Sequence, residues 1–253
     1  MNTRSIKAIL LLAVLLLGLW MPVSYAEDAA DADDPWSFAI RHGSRDTNMI
    51  AITVDDCANI EVVENIFRLC EQYEVCVTFF VVGRNIKQKD AAIWQEIAAS
   101  PYVEIGNHSQ KHYDWHKCQI SSIVQDLEDM KTSLDSVLGY HYETTLVRPP
   151  YGHCSRSKYK KQQAIIDMAA SCGYSHAILW DVSQTDASKA LTATKNGSIL
   201  LYHAYGKDYR CLKTLIPKLL SKGFQPVKVS TLLGLKTGGP VAGETEADEA
   251  DLL

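Results

Sequence analysis

From Met49 onward, short unbroken apolar runs alternate with stretches whose apolar residues recur every three or four positions. Ile50-Ala51-Ile52-Thr53-Val54 is too short and too continuously apolar for a helix and predicts a buried strand. Residues 62–73 follow, with Val63, Ile66, Phe67 and Cys70 on one face at helical spacing. The cycle repeats. Strands are predicted at 76–82, 103–106, 145–147, 177–180 and 199–202, and helices at 91–99, 120–138, 159–172 and 212–220. Strands buried on both faces and separated by amphipathic helices imply an α/β domain with a parallel sheet and helices outside, open or closed into a barrel. Periodicity does not choose between these.

At 253 residues and 47% hydrophobic, the chain has apolar material for one sizeable core. Its first part reads differently. Arg4 and Lys7 precede an apolar run from Ala8 to Met21, and Ser24-Tyr25-Ala26 offers the small residues of a cleavage site. That pattern predicts a signal peptide over residues 1–26, the run being shorter than the ~20 residues of a spanning helix. Export follows, with no stable membrane span after cleavage. The domain is expected at 48–236, after an acidic lead-in over 27–47 and before a disordered acidic tail over 237–253.

The formal charge of -5 is an effect of these ends. With five acids in each tail and Arg4 and Lys7 set aside, the body from Pro35 to Gly243 holds twenty acids against twenty-three Lys and Arg. It has no basic cluster interleaved with aromatics, which excludes nucleic acid as a partner. Seven cysteines (57, 70, 76, 118, 154, 172 and 211) are an odd number for an exported chain. No C-x-x-C pair occurs, so most are read as small buried apolar residues, with one or two disulfides as the alternative.

In β/α folds the reactive groups stand where strands end. Four strand ends are polar: Asp55-Asp56, then Asn107-His108-Ser109-Gln110-Lys111-His112, then Arg148-Pro149-Pro150-Tyr151-Gly152, then His203. On a helical turn, His108 and His112 would share one face, about 5 to 6 Å apart at Cβ, a spacing that suits one divalent ion. Two imidazoles and a carboxylate from Asp55 or Asp56 leave a coordination position open, as in catalytic zinc sites. Ser109 would cap that helix.

Taken together and in order, Thr53-Val54-Asp55-Asp56, His108-Ser109-Gln110-Lys111-His112, Arg148-Pro149-Pro150-Tyr151 and Leu201-Tyr202-His203 resemble the motifs of the NodB-homology polysaccharide deacetylases, carbohydrate esterase family 4. The resemblance runs from about Met49 to Leu235. It implies a distorted (β/α) barrel of about seven parallel strands. It also implies that Asp56, His108 and His112 hold a divalent metal, most readily zinc, with cobalt, nickel or manganese able to serve. Asp55 would be the general base for a metal-activated water, held by Arg148 through a charge-assisted hydrogen bond. His203 would protonate the leaving amine, and the backbone at Pro150-Tyr151 would hold the oxyanion. His116 and His153 match no motif position and are left peripheral.

Two departures matter. Cys57 stands where the family usually has Gly, and packing is the expected role. The motif Asp-x-x-Asp-Trp aligns with Ser183-Gln184-Thr185-Asp186-Ala187, so its first Asp and its Trp are absent. Asp186 or Asp181 is then the candidate for tuning His203, and the pocket wall at Ala187 is altered. The expected activity is removal of N-acetyl groups from a peptidoglycan or chitin-like glycan by a secreted monomer. An O-acetyl esterase acting on acetylated xylan, and a glycan-binding homologue with little turnover, are the alternatives.

Overall fold

The computed structural model describes residues 38–153 and 162–241. The expected signal peptide, most of the acidic lead-in, the start of the helix expected at 159, Cys154 and the tail beyond 241 lie outside the described residues. In chain order the elements are β1 (Ala39–Ile40), β2 (Met49–Asp56), α1 (Ile60–Gln72), β3 (Val77–Val81), α2 (Ala91–Ala99), β4 (Val103–Asn107), α3 (Ile120–Leu138), β5 (Tyr142–Glu143), α4 (Gln162–Ser171), β6 (Ala177–Ile178), α5 (Ala187–Ala193), β7 (Ile199–His203), α6 (Gly206–Ser221), β8 (Gln225–Pro226), α7 (Val229–Leu233) and β9 (Gly239–Pro240).

The period-2 alternation of β2 divides the molecule into layers. Ile50, Ile52 and Val54 pack into the outer apolar layer with Val63, Ile66 and Phe67 of α1 and Leu212, Leu215 and Leu219 of α6. Ala51 belongs to the inner cluster with Phe80, Leu146, Ile178 and Ile199. Thr53 and Asp55, two and four residues on, share its face. A strand with apolar partners on both sides is what a parallel sheet requires.

The regular ladder is parallel, in the order β4-β3-β2-β7, with β8 beside the start of β2. Beyond β4 the ring continues through single parallel bridges, Asn107 to Val147 and Val147 to Ala177, and returns to β7 where Val182 meets Leu200. The ring therefore closes into a distorted barrel. Its irregular arc has a local cause. Pro149 and Pro150 have no N–H to extend the strand at Val147. In its place the Arg148 side chain donates to the carbonyls of Ile178 (2.8 Å) and Leu179 (3.1 Å).

Register sets the rim. Asp55 lies opposite His203 on one side and Phe80 on the other, while Phe80 faces Gly106 and Val81 faces Asn107. Gly106 is required here, because a Cβ would come within 2.6 Å of the Phe80 ring. The far end is closed by α7, whose first N–H groups, on Val229 and Ser230, donate to Thr78 Oγ1 and to the buried Glu104 carboxylate, both at 3.1 Å. Cys57, Cys70 and Cys211 are buried with free thiols. Among the described residues, no helix is long and apolar enough to cross a membrane.

Candidate active site

The two aspartates that end β2 diverge because the backbone turns between them. Asp55 keeps the strand alternation and points into the barrel. Asp56, at φ 65°, and Cys57, at φ 53°, leave the strand in the left-handed region. Asp56 Oδ1 then lies 3.4 Å from His112 Nε2 and 3.6 Å from His108 Nε2. One donor atom from each of the three fits within a 4.8 Å span.

The histidine pair is not carried by a helix, so the expected helical turn and its Ser109 cap are corrected. Residues 108–112 form a loop in which Ser109 (φ 65°) and His112 (φ 57°) are left-handed. Local hydrogen bonds hold this conformation: Asn107 Oδ1 accepts from the Ser109 N–H at 2.8 Å, and Ser109 Oγ accepts from the His112 N–H at 3.0 Å. Asn107 is anchored in turn by donating to the Leu127 carbonyl and to the Tyr174 hydroxyl. Side chains that bond to nearby backbone offer the chain this alternative to a helix.

Both imidazoles are prepared as ligands. His108 is buried and its Nδ1–H donates to the Arg148 carbonyl at 2.6 Å, which leaves the Nε2 lone pair facing Asp56 and His112. Burial, and then the neighbouring His108, lower the His112 pKa and favour the neutral ring that binds metal. These donors therefore fit a divalent ion. Burial, followed by Asp55 and Asp56, pushes the Cys57 thiol well up, so it stays protonated, packed in the outer apolar layer and outside the donor set.

Asp55 faces the same site with different partners. Its Oδ1 accepts from Arg148 Nη1 at 2.6 Å and its Oδ2 lies 3.6 Å from His108 Nε2. Arg148 is fully buried, donates also to Thr53 Oγ1 at 2.8 Å, and lies 4.1 Å above the Phe80 ring. Burial lowers its pKa while Asp55 opposes the change, and a guanidinium keeps its charge under that balance. Thr53 is thus part of the site. Its signal in the sequence is a polar residue in an apolar strand, two positions before Asp55.

Across β2, His203 stands in register with Asp55, its ring stacked on Tyr205 at 5.7 Å. Tyr151 is 60% exposed at the rim, held at φ 63° in the turn Pro150–Gly152, with its ring 4.7 Å from His112. Pro150 of the same turn is buried, and Trp180 packs so closely on Gly152 that a Cβ there would lie 2.8 Å from the indole. His153 bonds Asp114 at 2.8 Å, and its ring lies 5.5 Å from Tyr151 and 5.3 Å from His116. The two histidines left peripheral thus stand behind the rim.

The residues aligned with the altered motif do not converge on His203. Asp181 is removed from the tuning role. It binds Arg45 (2.9 Å), Ser198 Oγ (3.0 Å) and the Ile199 N–H (2.9 Å), at the start of β7. His203 ends that strand, about 13 Å away at the usual rise. Asp186 caps α5, accepting from the Lys189 N–H at 2.8 Å. Ser183 is exposed and Ala187 packs on the outer layer. The acid beside His203 is instead Asp208 of α6, whose Oδ2 accepts the His203 backbone N–H at 3.1 Å. Sequence reasoning missed it, since an Asp in a first helical turn is ordinary.

Comparison with known proteins bears on the family and the fold. The family model described as polysaccharide deacetylase matches residues 42–177, a span that includes Asp55, Asp56, His108, His112 and Arg148 and ends before His203. The chain is 26% identical over 198 residues to the peptidoglycan-N-acetylmuramic acid deacetylase PdaC of Bacillus subtilis, covering 74% of this chain and 39% of that one. It is 25% identical over 218 residues to a peptidoglycan-N-acetylglucosamine deacetylase of Bacillus cereus, covering 80% and 96%. Of the first curated relatives it matches, the chain spans between 32% and 60% of the length. A CE4 family pseudoenzyme from Bacillus anthracis superposes with TM-score 0.65 at 20% identity over 77% of this chain and 68% of that one, a likeness of fold. With its family model covering more than half of the residues and the motif side chains gathered at one barrel rim, the chain belongs to the polysaccharide deacetylase family.

Proposed function

We propose that the chain is a metal-dependent hydrolase that removes N-acetyl groups from an extracytoplasmic glycan of the peptidoglycan or chitin-like type. The observation that carries this reading is the pairing of unlike aspartates: Asp56 joins His108 and His112 in a donor set, while the adjacent Asp55 is held by Arg148 with one oxygen turned to the same site. Asp56, His108 and His112 would hold a divalent ion, zinc by the donor types, which would supply Lewis acidity to a water and to the acetyl carbonyl.

The chain's own groups do the proton work. Asp55 takes the proton of the attacking water, and the new C–O bond forms as the carbonyl opens to an oxyanion. Collapse breaks the C–N bond. His203, in register with Asp55 on the neighbouring strand, gives a proton to nitrogen, and the products are acetate and the amine. Tyr151 at the rim, with Tyr205 on His203, gives the open mouth aromatic walls suited to a sugar ring.

The test is acetate release from N-acetylated chito-oligomers, peptidoglycan and acetylated xylan by protein stripped of metal and reloaded with zinc or cobalt. Metal-dependent release that disappears in His203→Ala supports the proposal. A glycan-binding protein with little turnover is the second reading, favoured by the loss of the motif residues at Ser183 and Ala187. It predicts silence on every glycan at full metal occupancy.

A further inference from the structure

Asp208 is 1% exposed, yet it is a carboxylate in the first turn of a surface helix. One oxygen accepts the His203 N–H, and the loop between them is folded back by Tyr205 N–H to the His203 carbonyl (2.8 Å) and Asp208 N–H to the Tyr205 carbonyl (2.9 Å). The other oxygen, Oδ1, is buried and takes no hydrogen bond among the described residues. A helix start explains a negative side chain here. It does not explain burying one with an oxygen unmatched, which folded proteins avoid unless the charge has a use.

We propose that Asp208 is the positioning residue of His203, fixing the end of β7 and placing a buried carboxylate beside the imidazole. The proposal rests on the reading of His203 as proton donor. The groups around the pair are Asp55 from β2, Tyr202 and Tyr205 from β7 and its exit, Lys207 and Cys211 from α6, and Asp186 from the cap of α5. Burial raises the Asp208 pKa, and the His203 N–H and imidazole charge act against that rise, so the two groups interact. Asp186 spends its oxygen on Lys189, and Asp181 lies at the other end of the strand.

The experiment is an NMR titration of the His203 ring in the full chain, which reads no turnover. Asp208→Asn should lower the His203 pKa by about one unit, the scale set by a nearby opposite charge. Asp208→Glu should restore part of the shift, and Asp186→Asn, which can still cap α5, should leave it unchanged. An unmoved His203 in Asp208→Asn, or a shift in Asp186→Asn alone, would overturn the proposal. Should Asp208→Asn not fold, the wild-type Asp208 carboxyl carbon must show an inflection at the His203 midpoint, and its absence is equally decisive. An inactive protein that nevertheless shows the shift would sink the deacetylase reading and leave the pair standing.

Discussion

At the residue scale, Asp55 and Asp56 are neighbours in sequence and unlike in environment, and a single backbone turn separates their chemistry. Asp55 is 4% exposed and bonded to a guanidinium, whereas Asp56 points towards two imidazoles. Asp55→Asn is therefore expected to keep the metal and lose turnover by about 10²- to 10⁴-fold, the usual contribution of a general base. Asp56→Ala should lose the metal itself. Calorimetric zinc titration of both variants, beside an acetate-release assay, checks the division; zinc lost in Asp55→Asn would reverse it. Arg148 makes its case by burial. Replacing it with Met strands the Asp55 carboxylate and leaves the Ile178 and Leu179 carbonyls without their donor. Removing one partner of a buried ion pair costs about 3 to 5 kcal/mol. Urea unfolding of Arg148→Met should show a loss on that scale, and a loss below about 1 kcal/mol would mean that the site relaxes around the gap.

At the element scale, the loop at 107–112 does the work expected of a helix. An i, i+4 histidine pair suggested helical geometry, and the side chains do converge, with ring centroids 4.8 Å apart. The means are left-handed residues stapled by Asn107 and Ser109. If the histidines hold a metal, such bonds orient their rings, and removing one typically costs about 10- to 100-fold in metal affinity. Ser109→Ala should weaken zinc binding within that range while the thermal stability of the metal-free protein changes little. An unchanged affinity would show that the loop keeps its shape without the Ser109 bond. The other strand ends also supply the rim: β2 gives Asp55 and Asp56, the segment after Val147 gives Arg148 and Tyr151, and β7 gives His203, with the parallel register setting Asp55 level with His203.

At the scale of the whole molecule, the layering was legible because it follows from burial. The apolar run 50–54 and the face of Val63, Ile66, Phe67 and Cys70 appear as β2 and the buried side of α1. The motif residues were legible because strand ends collect them at one rim. What could not be read depends on contacts between distant segments: the bridge arc through Val147, the Arg148 bonds to Ile178 and Leu179, and Asp208 beneath His203. No local periodicity encodes these.

The same long-range assembly would give a metal held by Asp56, His108 and His112 a hold on global stability. The three candidate donors come from β2 and from the loop after β4, on either side of β3, so unfolding scatters them and only the folded state can offer all three to an ion. A ligand at about 1,000 times its Kd stabilises by about 4 kcal/mol. Chelation should therefore lower the Tm by several degrees in the wild type and not in His112→Ala. Acid should do likewise. The folded His112 pKa is depressed, so between it and the ordinary histidine value of about 6.5 the unfolded chain binds more protons. Stability of the metal-free protein should accordingly fall as pH drops through that window, and the fall should be smaller in His112→Ala. Scanning calorimetry across the window, with and without zinc, reads both effects. A Tm indifferent to zinc at neutral pH would mean that Asp56, His108 and His112 converge without holding an ion.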